Sequence, residues 1–339
     1  MKKIGIIAGA IALVIGLCSC GPKPNANGWY QDFEQAKKAC GSSKSVILLV
    51  TSEGDPVESA AGIKAITEAP DFAKALNKSF VCCHFDFSQA AIDETVVQDG
   101  ATEKEQKAAE NKKKAIQKRF ETATMYAVEN TPTVVIISSE GYWINSVNLP
   151  FESDSVDGYI AEIKEYENDV AQMKAYVAAT KKGSKVEKVQ AIDKLFNTQP
   201  EACQIFMKDL VKKVPAMDKK NESGLVGKYI VASANSDAYD CIVKGNVQQA
   251  ADILAKSAKN PLLAPTEAQS LYYFAANILA QSNSSDFDTI IDLLNKAIEV
   301  DAESPYNDEL KKIIDYVQDI KQKAGETQPL TQEEPAAQE

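Results

Sequence analysis

The sequence predicts an α/β domain in the first half of the chain and an all-α domain in the second half. Continuous apolar, β-branched runs of the kind that form buried strands lie in the first half, the clearest at 46–50 and 134–137. After about residue 170 strand signals nearly disappear, and apolar residues recur at the three- and four-residue spacing of amphipathic helices. The 339 residues are enough for two domains of roughly 150 residues each.

The composition is that of a globular protein with excess negative charge. Apolar residues make up 45% of the chain, which is enough to build real cores. The net charge is −11, so the chain as a whole does not attract nucleic acid or anionic lipid. The charge therefore argues against both as electrostatic partners.

Residues 1–19 have the pattern of a lipoprotein signal peptide. A basic start precedes an apolar run from 4 to 17, which is too short for an ordinary membrane-spanning helix of about 20 residues. The following Leu17-Cys18-Ser19-Cys20 resembles a bacterial lipobox, which implies cleavage before Cys20 and lipidation of that cysteine. The alternatives are an uncleaved anchor and an ordinary secretory signal. Residues 20–28 are predicted to be a flexible tether.

Local signals predict the elements of the first domain. Phe33 to Cys40 has helical apolar spacing and ends at a glycine-serine turn. Strands are predicted at 45–51, 80–87, 134–137 and 142–147. Further helices are predicted at 60–66, after the break at 69–71, at 102–127 and at 156–166. The polar stretch 88–100 is predicted to be a loop.

The segment Thr131-Pro132-Thr133 directly precedes the apolar run at 134–137. Because proline donates no ladder hydrogen bond, it belongs at the start of a strand. The segment resembles the cis-proline segment of the thioredoxin fold, and the resemblance covers residues 29–170. It implies a central mixed sheet flanked by helices, with 80–87 as a central strand. It also implies a cis Thr131–Pro132 bond and a peptide-docking edge at Thr131, Pro132 and Thr133.

The redox motif of that family is missing from its expected place. Active relatives carry a Cys-x-x-Cys pair where the helix after the first strand begins, and alignment places Pro56 and Ser59 at the two cysteine positions. The turn is therefore interpreted as a vestigial active site made of Asp55, Pro56, Val57, Glu58 and Ser59. Asp55 is predicted to be the helix N-cap. No catalytic residue is predicted.

Cys82, Cys83 and His84 lie side by side on the strand predicted at 80–87. Successive strand side chains point to opposite faces, so the two thiols are predicted to diverge and to be buried and structural. His84 is the single histidine and lacks a closed set of metal ligands, so it is interpreted as a satisfied core or edge residue. No metal or other cofactor is predicted.

Residues 171–323 are predicted to form the all-α domain, with helices that include 203–210, 266–281 and 307–323. Two similar segments, 245–257 and 285–297, are offset by 40 residues. They resemble tetratricopeptide-type helix pairs, whose period is about 34 residues; an ordinary helical bundle is the alternative. Residues 324–339 lack an apolar cluster and are predicted to be a disordered acidic tail.

These features predict an exported protein that binds other proteins. The lipid at Cys20 would hold it at a membrane, on the periplasmic side or at the outer membrane or cell surface. Its partners would be other envelope proteins, recognised by the peptide-docking edge and by the helical domain. The alternative function is that of an envelope thiol–disulfide oxidoreductase or isomerase that uses Cys82, Cys83 or Cys40.

Overall fold

The computed structural model describes residues 23–97, 99–149, 155–282 and 284–326. The predicted signal peptide, the lipidation residue Cys20 and the end of the predicted acidic tail lie outside these residues. The described chain divides into two compact units. The N-terminal unit comprises 23–124, Val128–Gly141 and Asn145–Glu167. The helical unit comprises Met125–Ala127, Tyr142–Ile144 and the residues from Asn168 onward.

A mixed four-stranded sheet lies at the centre of the N-terminal half, in the order β2-β1-β3-β4. Its strands are β1 (Ser45–Ser52), β2 (Phe80–Phe87), β3 (Thr133–Ile137) and β4 (Trp143–Asn148). β1 pairs with β2 in parallel and with β3 antiparallel. The prediction that β2 is a central strand was wrong, because β2 is an edge strand of this four-stranded sheet. Beyond it, Tyr30 contributes a single parallel bridge to Cys83.

Helices flank this sheet. They are α1 (Phe33–Cys40), α2 (Val57–Glu68), α3 (Pro70–Leu76), α4 (Gln89–Asp93), α5 (Glu103–Met125) and α6 (Val156–Glu165). α1 packs on β1 and β2, and α6 packs on α2 and α3. The indole of Trp29 stacks on Phe72, with ring centroids 5.8 Å apart, and its N–H donates a hydrogen bond to the Ile66 carbonyl. The mixed sheet, its flanking helices and the proline before β3 resemble a thioredoxin-like fold.

Two predictions about helices in this half were wrong. The stretch 88–100, predicted to be a loop, contains α4, whose first turn is capped by the Ser88 hydroxyl accepting from the Ala91 N–H. α5 ends at Met125 rather than at residue 127, because Ala127 takes a left-handed φ of 58°. A side-chain cap therefore determines where α4 begins, and one backbone dihedral angle determines where α5 ends. Neither feature can be read from the spacing of apolar residues.

The helical unit contains nine α-helices in the residues that the structure describes. They are α7 (Glu167–Ala179), α8 (Lys185–Asn197), α9 (Lys208–Val211), α10 (Val214–Met217), α11 (Val226–Val243), α12 (Val247–Ser257), α13 (Pro265–Gln281), α14 (Phe287–Val300) and α15 (Asn307–Glu326). The segment predicted to be helical at 203–210 begins as a 3₁₀ helix, Glu201–Met207, in which the Cys203 N–H bonds to the Pro200 carbonyl.

Consecutive helices from α11 to α15 pack on one another around a common apolar core. α12 and α14, which start 40 residues apart, both pack on α13. Each of these helices presents an apolar face to the core, which is the arrangement that their helical periodicity predicts. No helix in the described ranges is long and apolar enough to cross a membrane.

Candidate functional site

The turn between β1 and α2 is closed by a hydrogen-bonded Ser52–Asp55 pair. One carboxylate oxygen of Asp55 accepts from the Ser52 backbone N–H at 3.0 Å, and the other accepts from the Ser52 hydroxyl at 3.0 Å. The prediction that Asp55 caps α2 was therefore wrong, because its carboxylate is turned back to β1. Pro56 occupies the N-cap position, and no side chain caps the first turn of α2.

The two positions that align with the missing cysteines lie at the start of α2. Pro56 immediately precedes the helix, and its carbonyl accepts a hydrogen bond from the Ser59 N–H at 2.9 Å. Ser59 is only 2% exposed, and its hydroxyl has no hydrogen-bond partner within the described chain. The site therefore keeps a helix N-terminus and a buried small side chain, without a sulfur atom at either position.

The proline segment lies against this turn. The Thr131–Pro132 peptide bond is cis, and the Thr131 and Ser52 hydroxyls are 2.6 Å apart. Thr133 begins β3, and its hydroxyl donates to the Asn130 carbonyl. The main-chain N–H and C=O of Thr131 form no hydrogen bond to any residue that the structure describes. This leaves one backbone donor and one acceptor available beside the turn.

A groove of about 670 Å³ adjoins Thr131 in the N-terminal unit. Most of its wall is apolar and comes from the ends of β1 and β2 and from α4 and α5. Its lining residues include Phe87, Ile92, Ile116, Phe120, Ala123 and Val128. Phe120 is 64% exposed in this groove. Large exposed apolar side chains grouped in one concave surface are typical of a binding site rather than of an ordinary surface.

His84 lies behind the turn, on the strand that carries Cys82 and Cys83. Its Nε2 is 2.9 Å from the Thr51 hydroxyl oxygen. Its ring packs edge-on against Trp29, with ring centroids 6.0 Å apart. Burial lowers the pKa of His84 to about 4, although the nearby Asp86 carboxylate acts in the opposite direction. His84 is therefore a hydrogen-bonded neutral residue at neutral pH, as the sequence interpretation expected.

We expect this half-buried neutral histidine to make the N-terminal unit less stable as the pH falls from 7 to 5. The unfolded histidine binds a proton near pH 6.5, whereas the folded one binds it only near pH 4. Protonation therefore favours the unfolded state throughout this interval, by about 2 kcal/mol in total. Urea denaturation at both pH values measures the loss, and His84→Gln should abolish most of it because the chain has no other histidine. An equal loss in the variant would refute the assignment.

The candidate thiols are inaccessible. Cys40, Cys82 and Cys83 are each at most 2% exposed, and no disulfide joins the five described cysteines. Burial raises the pKa of Cys82 to about 12 and raises the pKa of Cys83 as well. An attacking thiol must be accessible and partly ionised, so Cys82 and Cys83 lack both properties of a redox nucleophile and Cys40 lacks accessibility. No group of three or more His, Cys, Asp or Glu side chains in the described chain could hold a metal ion.

The chain is similar to one family of proteins in its C-terminal part and to one solved structure over about half of its length. A family model described as "Uncharacterised protein C-terminal domain" matches residues 225–323, which contain α11 to α14 and all but the last three residues of α15. No curated protein matches the sequence. A solved structure named "DsbH Oxidoreductase" is similar at 16% sequence identity with a TM-score of 0.29, covering 49% of this chain and 93% of the other.

Proposed function

We propose that the chain is a protein-binding module of the cell envelope, held at a membrane by lipid on Cys20. Its N-terminal unit would dock an extended segment of a partner protein beside Thr131. The helical unit would contribute a second binding surface. The support for the anchor is the sequence Leu17-Cys18-Ser19-Cys20 after a basic and then apolar start.

The unpaired main chain of Thr131 carries the docking proposal. An extended peptide binds a sheet edge through main-chain hydrogen bonds and gains specificity from pockets for alternate side chains. Thr131 offers one donor and one acceptor in this manner, and its side chain is held by Ser52. The groove at Phe120 lies next to it and would receive an apolar side chain of the docked segment.

The burial of Cys40, Cys82 and Cys83 favours binding over dithiol exchange at the sheet. A dithiol catalyst needs a low-pKa attacking thiol and a second thiol that resolves the mixed disulfide. The turn has Pro56 and Ser59 at these positions, and Cys82 and Cys83 are buried with raised pKa values. The peptide-docking part of such a site can remain useful when the dithiol has been lost.

A selection of peptides that bind the chain tests the proposed docking surface. Phage-displayed decapeptides selected on the full mature chain should include extended, apolar sequences that bind at the groove. Phe120→Asp should weaken these peptides by about tenfold or more, because a charge replaces an aromatic contact surface. Titration of synthetic peptides by fluorescence anisotropy measures the effect.

Tyr316→Asp is the matched control for this test. Tyr316 lies on α15 and is 64% exposed, the same fraction as Phe120, so both variants add one carboxylate at an equally exposed aromatic position. The control should bind the selected peptides as the parent chain does. If every selected peptide is insensitive to Phe120→Asp, the docking proposal fails; peptides sensitive only to substitutions in the helical unit would place binding there.

A further inference from the structure

The helical unit contains a pocket of about 320 Å³ between α13 and the start of α15. It is separate from the groove at Thr131 and belongs to a different part of the chain. Three aromatic rings and one carboxylate are prominent among its lining residues, namely Tyr273, Phe274, Tyr306 and Glu309. No lysine or arginine is part of this lining.

A buried polar network fixes the segment that carries Tyr306. Gln269 on α13 is 5% exposed, and its amide donates to the Ala297 carbonyl and to Asn307 Oδ1, each at 3.0 Å. The Ser304 hydroxyl donates to Gln269 Oε1 and accepts from the Tyr306 N–H. Because buried polar groups that are fully bonded hold one geometry, the turn before α15 is set against α13.

Two of the three rings in the pocket are close together, and two of the three are open to solvent. Tyr273 and Phe274 have ring centroids 5.7 Å apart at an interplanar angle of 47°. Phe274 is 41% exposed and Tyr306 is 65% exposed, although both are large aromatic residues. Aromatic faces carry negative electrostatic potential, and a carboxylate at the rim strengthens it. The pocket therefore has the composition of a site for an organic cation.

We propose that this pocket binds a basic side chain of a partner protein, with arginine as the best match. A guanidinium group is planar, stacks on aromatic faces and can donate to the Glu309 carboxylate at the same time. The net charge of −11 favours partners that present basic groups. The proposal stands on the pocket itself and does not depend on peptide docking at Thr131.

The test uses the full mature chain labelled with 3-fluorotyrosine and the peptide acetyl-Gly-Ser-Arg-Ser-Gly-amide. Titration followed by the fluorine resonance of Tyr273 gives the dissociation constant. The same peptide with citrulline in place of arginine keeps the shape and removes the charge. We expect the citrulline peptide to bind about fivefold more weakly or worse, since desolvated cation–aromatic contacts contribute on this scale.

Variants separate the pocket from the general negative charge of the chain. Tyr306→Ala and Glu309→Gln should each weaken the arginine peptide about fivefold, whereas Tyr306→Phe should retain binding because the ring remains. Tyr316→Ala is the control, because Tyr316 is 64% exposed on α15 and does not line the pocket. Circular dichroism checks that each variant is folded. Equal binding of the two peptides, equal binding by Tyr306→Ala and Tyr316→Ala, or no shift at Tyr273 would overturn the proposal.

Discussion

Replacing Ile136 with alanine is expected to lower the free energy of unfolding of the N-terminal unit by about 3–4 kcal/mol. Ile136 is fully buried on β3 and lies opposite Ile47 of β1 in the antiparallel ladder. The truncation removes three buried carbon atoms from the centre of the sheet. Because strands on both sides prevent the backbone from closing the space, a cavity adds to the lost hydrophobic transfer energy.

Urea denaturation followed by Trp29 fluorescence measures this change, in a Trp143→Phe background so that the signal reports the N-terminal unit alone. A probe specific to one unit is needed because a chain with two units need not unfold in a single step. Ile92→Ala is the matched control, since Ile92 is 40% exposed on α4. It should cost under about 1 kcal/mol. Similar losses in both variants would contradict the burial assigned to β3.

The double substitution Pro56→Cys and Ser59→Cys is expected to create a dithiol that reduces insulin, whereas the parent chain should give only the background rate. A cysteine at position 56 would sit at the start of α2, where no side chain caps the helix and the free N–H groups stabilise a thiolate. Such a thiol should ionise near pH 7 instead of near pH 8.5. Ser59 is buried beside it and accepts a sulfur atom with little change in volume.

Single substitutions provide the controls for this experiment. Pro56→Cys alone supplies an attacking thiol without a resolving one, so it should form mixed disulfides that do not turn over. Ser59→Cys alone should remain at background because its thiol is buried. A folded double variant with no activity above the parent chain would show that the turn does not have the geometry of a dithiol site. Parent activity that disappears in Cys82→Ser or Cys83→Ser would instead support the oxidoreductase alternative.

Much of the fold could be predicted from the sequence because its strongest signals are local. The segment Phe80–Phe87, which is rich in aromatic and apolar residues, predicted β2 with both ends correct, and helical spacing did the same for Phe33–Cys40. The position of Pro132 before a β-branched run predicted both a strand start and, through the resemblance, a cis bond. A strand or helix that buries a continuous face must repeat its apolar residues at a fixed period, so these elements are visible without a structure.

The contacts that define the candidate sites were decided by tertiary structure. Asp55 is a residue type that often caps helices, yet its carboxylate bonds to Ser52, three residues earlier, because the turn brings it within reach of an N–H and a hydroxyl at the end of β1. Thr131 meets Ser52 across a sequence separation of 79 residues, and His84 meets Thr51 across 33. Hydrogen bonds between residues this far apart have no periodicity, so the sequence alone does not predict them.

The pocket in the helical unit shows the same division between local and tertiary information. Apolar spacing predicted the helix at 266–281 and the last helix from 307, and these correspond to α13 and α15. It did not predict that Tyr306, in the turn before α15, would line one pocket with Tyr273 and Phe274. That arrangement depends on Gln269 reaching Ser304 and Asn307 through the core. Sequence determined which segments form helices, and long-range side-chain hydrogen bonds determined which of their exposed side chains meet, because only packing brings distant residues within bonding distance.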